Sequence, residues 1–333
     1  MLLVFPLIGF VTTVILLFLY LKLSYKFQWF DRPDEERKSH AVVKPTSAGI
    51  VFMLPIVFFT VFMSPMTLFF SPLLIAALII LIVIGAYDDF RNLSVKLRLL
   101  IISLVSASVV LLYFDVEISN AVLMFVYLLG VIWWMNLFNF MDGADGMAVL
   151  HALIALLGYT LYFIFFSNMG IINLLYLLFV IACLFSFLLF NFPRAKMFMG
   201  DSGSLSLSFL IAVVALYGIS QGIFDEFVVI SFHLVFIVDA TLTLLVRIKF
   251  KQPMTQAHNL HLYQALILSG KSHAKTSIYY AFTSFIITAI TLYLRYLNVN
   301  QTLMFMVLVA EAIILSIYWF NFHNKTKFER FIR

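Results

Sequence analysis

Residues 171–204 read IINLLYLLFVIACLFSFLLFNFPRAKMFMGDSGS. The stretch from Ile171 to Asn191 carries no charge and has the length of a helix that crosses the roughly 30 Å hydrocarbon layer of a bilayer. A short basic loop with Arg194 and Lys196 follows, then Asp201, and then a second uncharged run. Span, basic loop, carboxylate, span: this order sets the reading of the whole chain.

Working outward, apolar runs fall at about 2–23, 48–66, 70–87, 98–114, 119–138, 147–166, 171–191, 204–220, 227–246, 277–297 and 300–320. They predict an all-α, polytopic membrane protein of about eleven transmembrane helices, with residues 1–333 forming a single membrane-embedded domain. Only Ser64–Pro65 and Ser71–Pro72 separate the second run from the third. Composition agrees: 64% of residues are hydrophobic and 11% charged, and the mean hydropathy is +1.07. Soluble domains carry roughly a quarter charged residues. The first run ends in a Lys-bearing segment without a cleavage pattern and reads as a retained span. The lone Cys183 excludes an intrachain disulfide.

Charge orients the spans. With the N-terminus outside, the inner segments are 22–47, 87–98, 192–203, 247–276 and 321–333, plus the acidic loop near 139–146. All but one of the 21 Lys and Arg then lie inside, the exception being Arg295. Outer loops carry Asp115, Glu117, Asp225 and Glu226 instead. The positive-inside rule therefore predicts an outer N-terminus and a cytoplasmic C-terminus. The net charge of +5 follows from topology rather than from nucleic acid binding. Basic inner loops also suit anionic membrane lipids and phosphorylated substrates.

Four polar clusters interrupt the apolar pattern at the inner face. The first, Gly85-Ala86-Tyr87-Asp88-Asp89-Phe90, sets two carboxylates at the end of a span. A solvated helix end is one reading. Acids at a helix C-terminus oppose its dipole, however, so a bound cation is the other. In the second, polar residues recur at Asn136, Asn139, Asp142 and Asp145, a spacing that shares one face while the chain stays helical. Gly200-Asp201-Ser202-Gly203-Ser204 is the third, and it reads either as an anion site at a helix start or as plain capping by Asp201 or Ser202. The fourth is the loop with Arg247, Lys249, Lys251, His258, His261 and His273. Zinc does not fit it, because the one Cys lies in a span and no His-Glu-x-x-His pattern exists. Inner-face aspartates beside basic loops indicate Mg²⁺-dependent phosphoryl chemistry on a membrane-embedded substrate. A transporter is the alternative class, and it would place ionisable groups near mid-membrane. Glu311 is the main residue of that kind, while Asp239 lies near an inner helix end.

At these residues the chain resembles the polyprenyl-phosphate N-acetylhexosamine-1-phosphate transferase family, glycosyltransferase family 4. The resemblance runs in order through Asp31-x-Pro33, Arg37-Lys38-x-His40, Pro45 and Gly49. It continues with Asp88-Asp89 followed by Leu93-Ser94, Asn136-x-x-Asn139-x-x-Asp142-Gly-x-Asp145-Gly146 and Gly200-Asp201-x-Gly203-Ser204, and ends with Asp239 before the His258/His261 loop. It implies that a UDP-N-acetylhexosamine and undecaprenyl phosphate give a diphosphate-linked sugar lipid and UMP at the bacterial inner (cytoplasmic) membrane. By the same resemblance Asp201 binds Mg²⁺, for which Mn²⁺ can substitute, and Asp89 lies near the metal and diphosphate. Asp88 activates the lipid phosphate as nucleophile or base. Asn136, Asn139, Asp142 and Asp145 line the nucleotide-sugar site, and His258 and His261 contribute to nucleotide or phosphate binding. Lys96 and Arg98 could hold the lipid phosphate, although bases snorkelling from a helix start explain them equally well. A homodimer is compatible with this reading.

Two departures bear on the subgroup. Adjacent histidines of the peptidoglycan enzyme, the phospho-N-acetylmuramoyl-pentapeptide transferase, are here Ala257-His258-Asn259-Leu260-His261-Leu262-Tyr263-Gln264. That form is closer to enzymes that start O-antigen or capsule repeats, which implies a role in lipopolysaccharide or other surface polysaccharide synthesis with an N-acetylated, in some cases 6-deoxy, sugar. An acid expected soon after Gly146 is instead His151. Cysteines introduced at residues 31, 92, 199 and 255 are expected to label from the cytoplasmic side and those at residues 117 and 224 from outside. Outside labelling at residue 92 would overturn the inner-face site.

Overall fold

A computed structural model describes residues 4–27, 44–64, 66–67, 69–91, 93–115, 117–253 and 259–325. Its helices are α1 (Val4–Phe27), α2 (Ala48–Met63), α3 (Pro72–Arg91), α4 (Val95–Tyr113), α5 (Ala121–Phe140) and α6 (Met147–Phe166). They continue with α7 (Ile171–Asn191), α8 (Gly200–Ser220), α9 (Glu226–Lys249), α10 (Leu262–Leu268), α11 (His273–Tyr296) and α12 (Gln301–Lys325). Every apolar run is a helix, and among the described residues ten helices are long and apolar enough to cross a membrane.

Three differences from the sequence reading have physical causes. With 16 residues, α2 spans about 24 Å and falls short of a full crossing. It stops at Met63, where Ser64 begins a turn. Next, α3 starts at Pro72, whose missing N–H costs nothing in a first turn, and runs on to Arg91. Asp88 and Asp89 therefore belong to its last turn. Finally, the seven-residue α10 lies within the loop between α9 and α11 and is too short to show a hydrophobic period.

The core is built around α8. Of its apolar window 94% is buried, against 17% for α1 and α12, so α8 is central and those two are peripheral. It packs against α2, α3, α4, α5 and α6. Small residues make this possible: Ser202, Gly203, Ser204, Ser206 and Ser208 bring neighbouring backbones close, as in other membrane bundles. A Cβ on Gly85 of α3 would stand 2.4 Å from the Ser202 amide nitrogen, and one on Gly49 of α2 would stand 2.1 Å from that of Gly203. The serine hydroxyls stay satisfied within the helix, as when Ser208 donates to the Leu205 carbonyl at 2.9 Å. Outward faces are apolar: Phe58 is 76% exposed and Phe165 69%. Lipid tails are the solvent that suits such a surface.

Several polar groups inside the bundle find partners, as a medium without water favours. His151 of α6 lies 3.0 Å from His233 of α9, whose other ring nitrogen is 3.0 Å from the Tyr159 hydroxyl. Trp134 of α5 packs on His233, ring centres 4.1 Å apart, and donates to the Ser208 carbonyl at 2.9 Å. At the end of the bundle opposite Asp88 and Asp201, Arg295 pairs with Asp225, which also caps α9 by accepting from Val228 N at 3.1 Å. The one cation that charge counting leaves outside is thus neutralised. Gly85→Ala is expected to cost about 1–3 kcal/mol by overpacking, read as a lower melting midpoint in detergent. Gly130→Ala is the control, because its Cβ meets nothing within 4 Å; it should be neutral or gain up to ~1 kcal/mol of helix propensity. Equal midpoints would contradict the α3–α8 contact.

Candidate active site

The site begins where α8 begins. Gly200 has φ +67° and a Cβ on it would lie 2.4 Å from the Asp89 carboxylate, so both backbone and space call for glycine. Asp89, in the last turn of α3, accepts from the Asp201 amide at 2.7 Å, the Ser202 amide at 3.5 Å and the Ser202 hydroxyl at 3.0 Å. A first helical turn has amides without intrahelical partners. Here another helix supplies the acceptor, and its negative charge sits at the positive end of the α8 dipole.

Around this cap the other polar groups converge. Asp201 accepts from the Asn139 side-chain amide at 2.7 Å, and the same amide donates to Ser204 Oγ at 2.8 Å. Arg98 of α4 bridges two carboxylates, 3.3 Å from Asp201 and 3.4 Å from Asp88. The second oxygen of Asp88 accepts from the Leu93 amide at 2.5 Å, which fixes the turn from α3 into α4. Asp142 lies just past α5 and is half-buried, and among the described residues its carboxylate accepts no hydrogen bond. Burial, then the nearby charges of Asp201 and Asp89, hold its carboxyl well above the usual carboxylate range. Among the described residues Arg98 reaches two of these acids, Asp88 and Asp201, and acids outnumber bases at the cluster.

The donor set is oxygen only, which suits a hard cation such as Mg²⁺ and not zinc. Among the described residues no group of three or more His, Cys, Asp or Glu forms a ready-made metal cage. Mg²⁺ does not need one, since it takes one or two carboxylates together with substrate phosphate oxygens. Asp201 and Asp142 fit that requirement. Asp89 has both oxygens engaged with α8, so any metal contact there shares atoms with the cap.

Several residues singled out in the sequence stand elsewhere. Asn136 donates to the Ile132 carbonyl of its own helix at 2.8 Å. Because α5 ends at Phe140, the threefold spacing of polar residues shares a helical face only through Asn139. Asp145 is buried and turned away, accepting from the Ala195 amide at 3.1 Å with Lys44 at 3.9 Å. It fastens the 192–199 loop. Lys96 is exposed at the start of α4. His261 is buried at the start of α10, 3.8 Å from Asp239. His258 and the Asp31–His40 motif lie outside the described residues. Sequence reasoning gave Tyr263 no role and Asp239 only a place near an inner helix end. An acid within an apolar run was the available signal for Asp239, and it accepts from the Leu262 amide at 2.8 Å, Tyr280 at 2.7 Å and Trp319 at 3.2 Å.

Carboxylates thus gather at one end of a helical membrane bundle, and the comparisons say which proteins the chain is similar to. Residues 71–219, which contain Asp88, Asp89, Arg98, Asn139, Asp142, Asp145 and Asp201, match the model of glycosyl transferase family 4. Over 311 residues the chain is 27% identical to a probable undecaprenyl-phosphate N-acetylglucosaminyl 1-phosphate transferase of Bacillus subtilis, covering 87% of this chain and 86% of that protein. It is 28% identical over 209 residues to the undecaprenyl-phosphate alpha-N-acetylglucosaminyl 1-phosphate transferase of Thermotoga maritima, covering 60% and 58% of the two chains. With a phospho-N-acetylmuramoyl-pentapeptide-transferase of Wolbachia it shares 31% identity over 200 residues, covering 51% and 60%. Over these matches the chain is similar to glycosyl transferase family 4 and to undecaprenyl-phosphate N-acetylglucosaminyl 1-phosphate transferases.

An acid whose pKa is raised on folding keeps its proton after the unfolded chain has lost it. Stability is therefore lost as pH climbs from the ordinary carboxylate value, about 4, towards the raised one. Asp142→Asn is accordingly expected to raise the melting midpoint at pH 7.5 in metal-free detergent, by on the order of a few degrees. The gain should vanish below about pH 4, where both states are protonated. An unchanged or lowered midpoint at pH 7.5 would show that Asp142 is not held among like charges.

Proposed function

We propose that this protein transfers an N-acetylhexosamine 1-phosphate, with the sugar in its ordinary or 6-deoxy form, from a UDP-sugar to undecaprenyl phosphate. UMP is released at the cytoplasmic face of the bacterial inner membrane, and the product starts O-antigen or another surface polysaccharide. Sugar-1-phosphate transfer to a polyprenyl phosphate is supported by the family match and by the names of the relatives. The observation that carries the finer reading is the meeting of Asp88, Arg98, Asn139, Asp142 and Asp201, from four elements, at one end of the bundle.

Donor diphosphate and acceptor phosphate are both anions, so the principal task is neutralising and aligning them. Mg²⁺, held by Asp201 and Asp142, would supply charge neutralisation of the diphosphate when bound. Asp89 keeps the Asp201 backbone in place. A phosphate monoester has its second pKa near 6 and arrives largely as the dianion. Its oxygen bonds to the β-phosphorus of the donor as the bond from that phosphorus to the bridging oxygen breaks, and UMP leaves with that oxygen. Asp88, oriented by the Leu93 amide and Arg98, accepts the remaining proton when the acceptor arrives as the monoanion. Arg98 can turn its planar fork from the two aspartates to the incoming phosphate. No covalent aspartyl intermediate is required.

The relative from Wolbachia keeps a pentapeptide-bearing donor as a second reading. One panel assay decides between them: purified protein, undecaprenyl phosphate, Mg²⁺ and each UDP-sugar in turn, with the lipid product weighed by mass spectrometry. UDP-N-acetylglucosamine, its 4-epimer or a 6-deoxy derivative is expected to give product. Asp201→Asn should reduce transfer by at least about 100-fold while the protein stays in the membrane. Product from UDP-N-acetylmuramoyl-pentapeptide alone would overturn the surface-polysaccharide assignment. Near-normal Mg²⁺-dependent transfer by D201N would overturn the role of Asp201.

A further inference from the structure

Between α9 and α11 the chain returns to the site through α10, and α10 is held from two sides. Asp239 accepts from the Leu262 amide at 2.8 Å and the Tyr263 amide at 3.4 Å. On the other side, the Tyr263 hydroxyl donates to the Phe140 carbonyl, in the last turn of α5, at 3.0 Å. Its ring is 1% exposed and stacks on His261, ring centres 5.7 Å apart. Gly143 lies flush against the same hydroxyl: a Cβ there would be 2.0 Å from the Tyr263 oxygen.

These contacts bracket Asp142, with Phe140 two residues before it and Gly143 one after. Asp142 needs such a restraint. Its carboxylate accepts no hydrogen bond among the described residues, and it sits within reach of the charges of Asp201 and Asp89. The local hold is one backbone bond, from the Asp142 amide to the Asn139 carbonyl at 3.2 Å.

We propose that Tyr263 is a positioning residue for transfer: its hydroxyl, locked in place by the grip of Asp239 on α10, fixes the 140–143 turn and with it the position of Asp142. The proposal rests on the transferase reading, in which Asp142 and Asp201 act on the donor diphosphate together. Tyr263 acts as a donor and not as a ligand. Burial first, then the charges of Asp239 and Asp142, raise its pKa and keep the proton on the phenol. The same tyrosine joins the histidine-bearing loop to the donor end of the site, so the stretch Leu260–Gln264 contributes through backbone position as well as through side chains.

The test is Tyr263→Phe in the full purified chain, which removes the hydroxyl and keeps the ring. Amide hydrogen exchange should quicken about tenfold at residues 141–146, with the first turns of α8 unchanged. In the transfer assay kcat should fall about tenfold and the Mg²⁺ concentration for half-maximal rate should rise, with KM for undecaprenyl phosphate unchanged. Gly143→Ala, which presses on the same hydroxyl, should change both readouts in the same direction. Unchanged exchange at 141–146 in Y263F would overturn the proposal. So would exchange that rises equally in α8, since that is general loosening. The exchange measurement needs no turnover, so a wild-type protein that makes no lipid-linked sugar would refute the transferase reading alone.

Discussion

A buried helix start is the constraint on which the rest of the architecture depends. The first amides of α8 lie inside the bundle, and a membrane protein cannot leave such groups unpaired. The Asp89 carboxylate pairs them. Because Asp89 belongs to α3, this pairing also docks α3 on α8, and Gly85 one turn earlier lets the two backbones meet. Successive residues on a helix point about 100° apart. With Asp89 turned to α8, Asp88 is turned towards α4, where the Leu93 amide and Arg98 meet it. One dipeptide thus points two ways, with the second acid holding the frame and the first facing Arg98.

The same device recurs. Asp225 caps α9, and Asp239, from within α9, caps α10 while also receiving Tyr280 of α11 and Trp319 of α12. Three acids therefore serve as acceptors for helix starts, and two of those caps join separate helices. An unpaired buried donor costs about 1–3 kcal/mol, so each cap stabilises the packing of its partners as well as its own helix. What distinguishes Asp88, Asp142 and Asp201 is the absence of that duty. Among the described residues Asp142 receives no hydrogen bond, and Arg98 is shared between the other two.

Much of this was legible in the sequence, and the limits are physical. Uncharged runs near 20 residues decide for helices in lipid whatever packs around them, so the bundle was readable from Leu2 to Phe320. The short α2 and the extra α10 were not, because their ends depend on a turn at Ser64 and on a cap from Asp239. In the site, residue order marked Asp88, Asn139, Asp142 and Asp201 as candidates, and the fold gathers them. Spacing misled at Asn136 and Asp145. A period of three describes a face only while a helix lasts, and α5 ends between Asn139 and Asp142. Beyond that point direction is set by tertiary partners, Ala195 for Asp145 and Tyr263 for the turn around Asp142. No local pattern encodes either.

Among the described residues the site gathers more acids than bases, and this bears on how it works. Arg98 meets two of the four acids, Asp201 and Asp88, at the long distances of 3.3 and 3.4 Å. Such a cluster is stabilised by a cation and strained without one. In the proposed transfer two phosphorylated substrates add more negative charge, which must be matched by cations arriving with them or by Arg98 changing partners. In either case the charges present before binding differ from those present during transfer. The packing of α3 on α8 and the hold of Asp239 on α10 keep the acids together against their repulsion. In the proposed transfer, binding of a cation with the substrates and balancing of these charges would be a single event, on a frame already in place.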